Sequence, residues 1–287
     1  MSHREIAEAI TARMPEPGVS HSTRGPGGAE RVEILGVPVD SLSVQGLHDR
    51  IVKTVRERGH DLILHANAHG LNLCYRDRQL REFFNSASVV FCDGAGVVLA
   101  ARILGARMQP RITYADWAWR LGQLCESQGL KLFLIGARPG VAEKAGERLR
   151  ARSPGLKLAG VQHGYFDRTP GSAENEAVIE KINSSGADIV LVGFGMPLQE
   201  RWLMDNWYRI DARVALTGGA VFDYVSGELK RGPKVLTRFG FEWLARLLIE
   251  PTRLWRRYLI GNPVFLARVV AQRLAHRTAH GSGARSG

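Results

Sequence analysis

The residues able to do chemistry in this sequence recur at one kind of position, directly after short apolar runs. His65, Asn67 and His69 lie in LHANAHGLN, and Asp93 follows VVFC and precedes Gly94. Glycine-rich segments follow other runs: GARPGVAE (with Gly136, Pro139 and Gly140), HGYF (with Tyr165), GFGMPLQE (with Gly193, Pro197 and Gln199) and TGGAVFDY from Thr217. A carboxylate placed like Asp93 can serve as a general base with a pKa tuned by burial, or it can cap a helix starting near Ala95. GARPGVAE reads as a turn opening a helix. Its glycines let backbone N–H groups approach a diphosphate, and the same residues also suit a plain strand–helix turn. His65 and His69 straddle a strand end with no carboxylate nearby to complete a ligand set, so no metal site is expected. The chain contains no Asp-x-Asp, GxGxxG or GxxxxGK[ST]. Those absences speak against the commonest Mg²⁺ pair, a dinucleotide fingerprint and a P-loop, and no cofactor is expected.

The elements that must position these residues are legible as alternating periods. Strands are expected at 32–35, 62–65, 89–92, 132–135, 156–158, 189–192 and 214–216; they are short and mostly apolar, as for strands buried on both faces. Helices are expected at 47–58, 80–85, 114–128, 141–152, 174–184 and 198–206. The alternation predicts an α/β fold with a largely parallel sheet flanked by helices, which binds ligands at the carboxyl ends of its strands. Residues 1–30 read as a flexible lead-in with a short helix at Arg4–Met14, 31–232 as the core, 233–272 as a basic, aromatic helical appendage and 273–287 as a flexible tail.

The chain has 287 residues, 45% apolar and 23% charged, which excludes collagen, low-complexity disorder and a bare coiled coil. No apolar run reaches the ~18 residues of a membrane span. Cys74, Cys92 and Cys125 form no CxxC pair, and a reducing cytosol fits them. Residues 229–287 carry twelve lysines and arginines against Glu242 and Glu250, a net +10 of the chain's +11. A segment this basic meets lipid headgroups, nucleic acid or a phosphorylated substrate. Its mixture of Trp243, Trp255, Tyr258 and arginines with leucines suits a membrane interface, and it also suits an amphipathic helix docked on the core.

Taken in order, ILGVPVD, His65–Asn67, DGAGVV, IGARPGVAE, GYF, GFGMPLQE, TGGAVFDYVSGELKRGP and EWLARLLIEPTRLWRRYLIGNP resemble the WecG/TagA/CpsF glycosyltransferases, glycosyltransferase family 26, over about residues 32–268. The resemblance implies a Rossmann-like core with a C-terminal appendage. It also implies inverting, metal-independent transfer from a UDP-sugar to a polyprenyl-diphosphate-linked saccharide at the cytoplasmic membrane face. The family's catalytic aspartate falls on Asp93, its Thr-x-Asn on His65-Ala66-Asn67, its Pro-x-Gln on Pro197 and Gln199, and its appendage arginines on Arg246, Arg253 and Arg256. Two positions depart from the pattern: His65 stands where threonine is usual, and Tyr114 where many relatives have a small residue. On this reading Gly136–Gly140 and the arginines hold diphosphate, Asn67 and Gln199 orient sugar hydroxyls, Tyr165 contacts uracil and Arg111 binds substrate. The partners expected are the UDP-sugar, the lipid-linked acceptor, the membrane surface and a second copy in a homo-oligomer. The rival readings are a nucleic-acid binder, told apart by a steep salt dependence, and a non-catalytic nucleotide-sugar sensor.

Overall fold

The computed structural model describes residues 23–24, 30–230, 232 and 242–283; the helix expected at Arg4–Met14 lies outside them. Nine strands among the described residues form one sheet: β1 (Thr23–Arg24), β2 (Glu30–Ile34), β3 (Val37–Asp40), β4 (Asp61–Ala66), β5 (Val89–Cys92), β6 (Lys131–Gly136), β7 (Lys157–Gln162), β8 (Ile189–Gly193) and β9 (Val214–Thr217). Their spatial order is β1-β2-β3-β5-β4-β9-β8-β6-β7. The first two pairings are antiparallel and all others parallel. Each of the seven expected strands is present.

The unexpected strands are β1 and β3. β3 returns from β2 through Leu35 and Gly36, whose φ values of 53° and 80° match a two-residue primed hairpin turn. The four residues VPVD are too few, and Pro38 too atypical of a strand, for the pattern to show in sequence. Because β1 lies at Thr23–Arg24 and β2 begins at Glu30, the sheet starts earlier than the core boundary expected at 31.

Among the described residues nine helices connect and cover the strands: α1 (Val44–Arg56), α2 (Ala68–Arg76), α3 (Arg78–Ser86), α4 (Ala95–Leu104), α5 (Tyr114–Gln128), α6 (Val141–Arg152), α7 (Ala173–Ser184), α8 (Leu198–Asn206) and α9 (Val221–Ser226). Alternation along β4 sends Leu62, Leu64 and Ala66 into one core layer and Ile63 into the other, the period-2 behaviour of a strand covered on both faces. His65 follows Ile63 onto the face that α1, α5, α6 and α9 cover. Phe91, Leu134, Leu191 and Leu216 extend that layer across the sheet.

The appendage comprises α10 (Glu242–Ile249), α11 (Pro251–Trp255), a π-helical turn at Arg256–Ile260 and α12 (Gly261–Gly283). Pro251 at the first turn of α11 divides the path, as its missing N–H requires. α12 runs ten residues past 273, where a flexible tail was expected, and its first half is tied to the core. Phe265 and Val269 are buried in the first layer. Gln272 accepts from Leu35 N at 3.0 Å and donates to Glu33 O at 3.0 Å, and Arg273 donates to Leu104 O at 2.9 Å.

The strand ends pack too closely for side chains. Gly136 has φ 146°, and a Cβ there would stand 2.3 Å from the Gly193 carbonyl oxygen. Gly136→Ala is therefore expected to lower the unfolding free energy by about 2–4 kcal/mol, measured by urea denaturation; an unchanged midpoint would refute this account of the glycine.

Candidate active site

A cavity of 550 Å³ opens over the carboxyl ends of β4, β5 and β9, and the appendage forms its opposite wall. His65, Asn67, Asp93, Arg111, Arg246 and Arg253 all line it, so six of the residues singled out from sequence meet in one place. Parallel strands deliver the first three: β4 ends at Ala66, β5 ends at Cys92, and the following residues emerge side by side. Asn67 caps α2, its side chain accepting from Gly70 N at 3.0 Å. Asp93 is held by its own N–H, which donates to Ala66 O at 2.8 Å. Asp93 does not cap α4: that position belongs to Gly94, with no side-chain cap bond. The first turn of α4, through Ala95 and Gly96, instead forms cavity wall, where unpaired helix N–H groups favour an anion.

His65 is buried and electrically neutral. Its Nδ1 lies 2.7 Å from the Thr217 carbonyl oxygen. A carbonyl only accepts, so Nδ1 carries the proton and Nε2 holds a lone pair. Burial, with the positive charge of Arg257 in support, pushes the pKa of His65 down to about 4. Nε2 stands 4.0 Å from Asp93 Oδ2. Both atoms are hydrogen-bond acceptors, and they face each other across that gap.

The opposite wall is cationic. Arg246, Arg253 and Arg257 converge on the cavity, with Glu250 bonded to the first two at 3.4 and 2.6 Å. Burial holds Arg257 below its usual pKa, offset by Tyr258 and Asp93, and it remains a cation at physiological pH. The Nε atoms of Arg246 and Arg257 are buried without a hydrogen-bond partner. Buried N–H groups left unmade are costly, and a diphosphate in the cavity would satisfy them with charge-assisted bonds. Among the described residues no three His, Cys, Asp or Glu side chains are grouped to hold a metal ion.

The remaining expectations fall elsewhere. Arg256 is exposed and packs its guanidinium 5.2 Å from the Trp255 ring, outside the cavity. Arg256 was expected from the family's appendage arginines. Residues three and four apart both neighbour Arg253 on a helix, and it is Arg257, four residues on, that lines the cavity. Gly136, Pro139, Gly140, Tyr165, Gly193, Pro197 and Gln199 do not line the cavity. Gly136 and Gly193 are glycine for close packing: a Cβ on Gly193 would meet Phe222 at 2.7 Å. Tyr165 is 68% exposed. Gln199 is wholly buried, and its Oε1 accepts from Gly195 N at 3.3 Å and Gly219 N at 2.9 Å. It thus staples two glycine loops that line the cavity instead of meeting a sugar. His69, Tyr114, Tyr224 and Trp243 line the cavity as well. Each carried a signal in the sequence: His69 in the LHANAHGLN cluster, Tyr114 as a departure from the family pattern, Tyr224 in TGGAVFDY and Trp243 in the aromatic appendage.

The sequence model of the glycosyl transferase WecG/TagA/CpsF family matches residues 32–279. The chain belongs to this family. It is a glycosyltransferase. Two similar proteins, from Staphylococcus aureus strains MRSA252 and NCTC 8325 / PS 47, are N-acetylglucosaminyldiphosphoundecaprenol N-acetyl-beta-D-mannosaminyltransferases. Each is 29% identical over 241 residues, which is 83% of this chain and 92% of theirs.

Glu200, behind Gln199, accepts from Gln199 Nε2 at 2.8 Å. Burial lifts its pKa from 4.5 to about 7. Between those values the folded glycosyltransferase holds a proton that the unfolded chain has lost, so this group's contribution to stability falls as pH rises from about 4.5 to 7. Glu200→Gln keeps the acceptor and removes the titration. The stability of the variant relative to wild type should rise by about 3 kcal/mol between pH 4.5 and 8, measured by urea unfolding; parallel curves would refute the assignment.

Proposed function

We propose that the enzyme transfers a sugar, with inversion, from a UDP-sugar to a polyprenyl-diphosphate-linked saccharide, and that Asp93 is the general base. The observation that carries this reading is the division of the cavity into a carboxylate wall, Asp93 beside neutral His65, and an arginine wall with unpartnered N–H groups. The acceptor hydroxyl gives its proton to Asp93. Its oxygen bonds to the anomeric carbon from the face opposite UDP, and the bond from that carbon to the phosphate oxygen breaks with its electron pair. Charge appearing on the departing diphosphate meets Arg246, Arg253, Arg257 and the start of α4, groups fixed before reaction. Arg111, on the rim, contacts substrate. The names of the staphylococcal relatives make UDP-N-acetylmannosamine and an N-acetylglucosamine-diphosphate lipid the first pair to assay.

The appendage also supports a membrane-bound acceptor. Among the described residues no helix is long and apolar enough to cross a bilayer. Leu248, Ile249, Trp255, Leu259 and Ile260 are nevertheless exposed together on this segment, with Arg253 and Arg256 among them. Such a surface suits peripheral docking on anionic lipid, at the inner face of the cell membrane.

Turnover over a panel of UDP-sugars and lipid-linked acceptors, with EDTA present, tests the reaction. Asp93→Asn should lower kcat about a thousandfold; robust turnover by the variant would move the base elsewhere. The arginines should separate by role. Arg257→Ala should lower kcat about a hundredfold on a short-chain acceptor, whereas Arg256→Ala should change it by less than about threefold and weaken sedimentation with anionic vesicles about fivefold. The reverse pattern would overturn the assignment of the two residues.

A further inference from the structure

Tyr114 opens α5 within the cavity wall, yet it is only 4% exposed and its Oη is buried without a hydrogen-bond partner. The ring cannot swing the hydroxyl out to water. It is held edge-on to His65 at 5.3 Å and 78°, and packed against Phe91 at 5.8 Å and Trp117 at 5.2 Å. Burial, together with the negative charge of Asp93, keeps the phenol protonated, so Oη has a hydrogen to donate. The neighbouring His65 offers the complementary atom, since its Nε2 has a lone pair and faces Asp93 at 4.0 Å. A buried hydroxyl without a partner is destabilising and calls for explanation.

We propose that Tyr114 Oη and His65 Nε2 form a donor–acceptor pair for one sugar hydroxyl beside the reacting oxygen, which makes Tyr114 a specificity-determining residue. The sugar hydroxyl accepts from the phenol and donates to the imidazole, satisfying all three groups. A sugar lacking that hydroxyl would leave both protein groups buried and unmade, and sites of this kind reject such analogues strongly. The hydroxyl can belong to the acceptor sugar or to the transferred one, because both meet at Asp93. This inference rests on the transfer reaction proposed above.

The test uses the full chain, wild type and Tyr114→Phe, with single-deoxy analogues of donor and of acceptor. Tyr114→Phe should lower kcat/KM about tenfold to a hundredfold on the complete pair. One deoxy analogue should show the same loss with wild type and no further loss with Tyr114→Phe; its identity tells donor from acceptor. Indifference to Tyr114→Phe, or an equal loss on every analogue accompanied by a lower Tm, would make the tyrosine structural and overturn the assignment alone. Wild type inactive with every pair would overturn the transfer reading and this assignment together.

Discussion

The site depends on one docking contact, that of α12 against α2. Asn72 donates to Gly261 O at 2.7 Å and accepts from Arg268 at 2.7 Å, and the Arg268 guanidinium lies 4.2 Å from the Tyr75 ring. Phe265 and Val269 bury the apolar face alongside. Gly261 immediately follows the π-helical turn that bears Arg257, so fixing α12 fixes the arginine wall. Without this contact the sheet would still present Asp93, but to open water. Cations from residues 246–257 and acceptors from residues 65–93 form one cavity because α12 is packed against α2 and α4.

Within that cavity the carboxylate and the arginines come from different parts of the fold: Asp93 follows a strand of the sheet, and Arg257 sits on the appendage. His65 helps to maintain the division. Its proton is committed to Thr217, and burial keeps the ring from becoming a further cation beside Asp93.

The fold was legible because its strands are short apolar runs, and the location of the site because parallel strands release their polar residues at one edge. His65, Asn67 and Asp93 met for that reason alone. The glycine segments misled, since glycine serves close packing as readily as ligand approach; Gly136 against Gly193 is a strand-to-strand contact that sequence shows only as flexibility. Gln199 misled because a polar residue next to glycines looks like a ligand donor, although here it satisfies their N–H groups. Arg257 was missed because neighbouring arginines at three and four residues from Arg253 are both compatible with one helix face, and only the packed appendage shows which of them enters the cavity. The contact between His65 and Tyr114, forty-nine positions apart, became visible only when β4 and α5 were placed together.

The position of β9 has a consequence for the order of assembly. This strand is the last of the nine in the chain and lies between β4 and β8, near the middle of the sheet. It also supplies Thr217, the partner of His65. During synthesis the earlier strands can form two separate groups, β1 to β5 and β6 to β8, but the groups cannot join until residues 214–217 have emerged. The appendage, later still, then has a complete floor on which to dock. So many pairings distant in sequence make for slow folding, with unsatisfied strand edges exposed meanwhile. The catalytic geometry is thus the last thing this chain acquires as it folds.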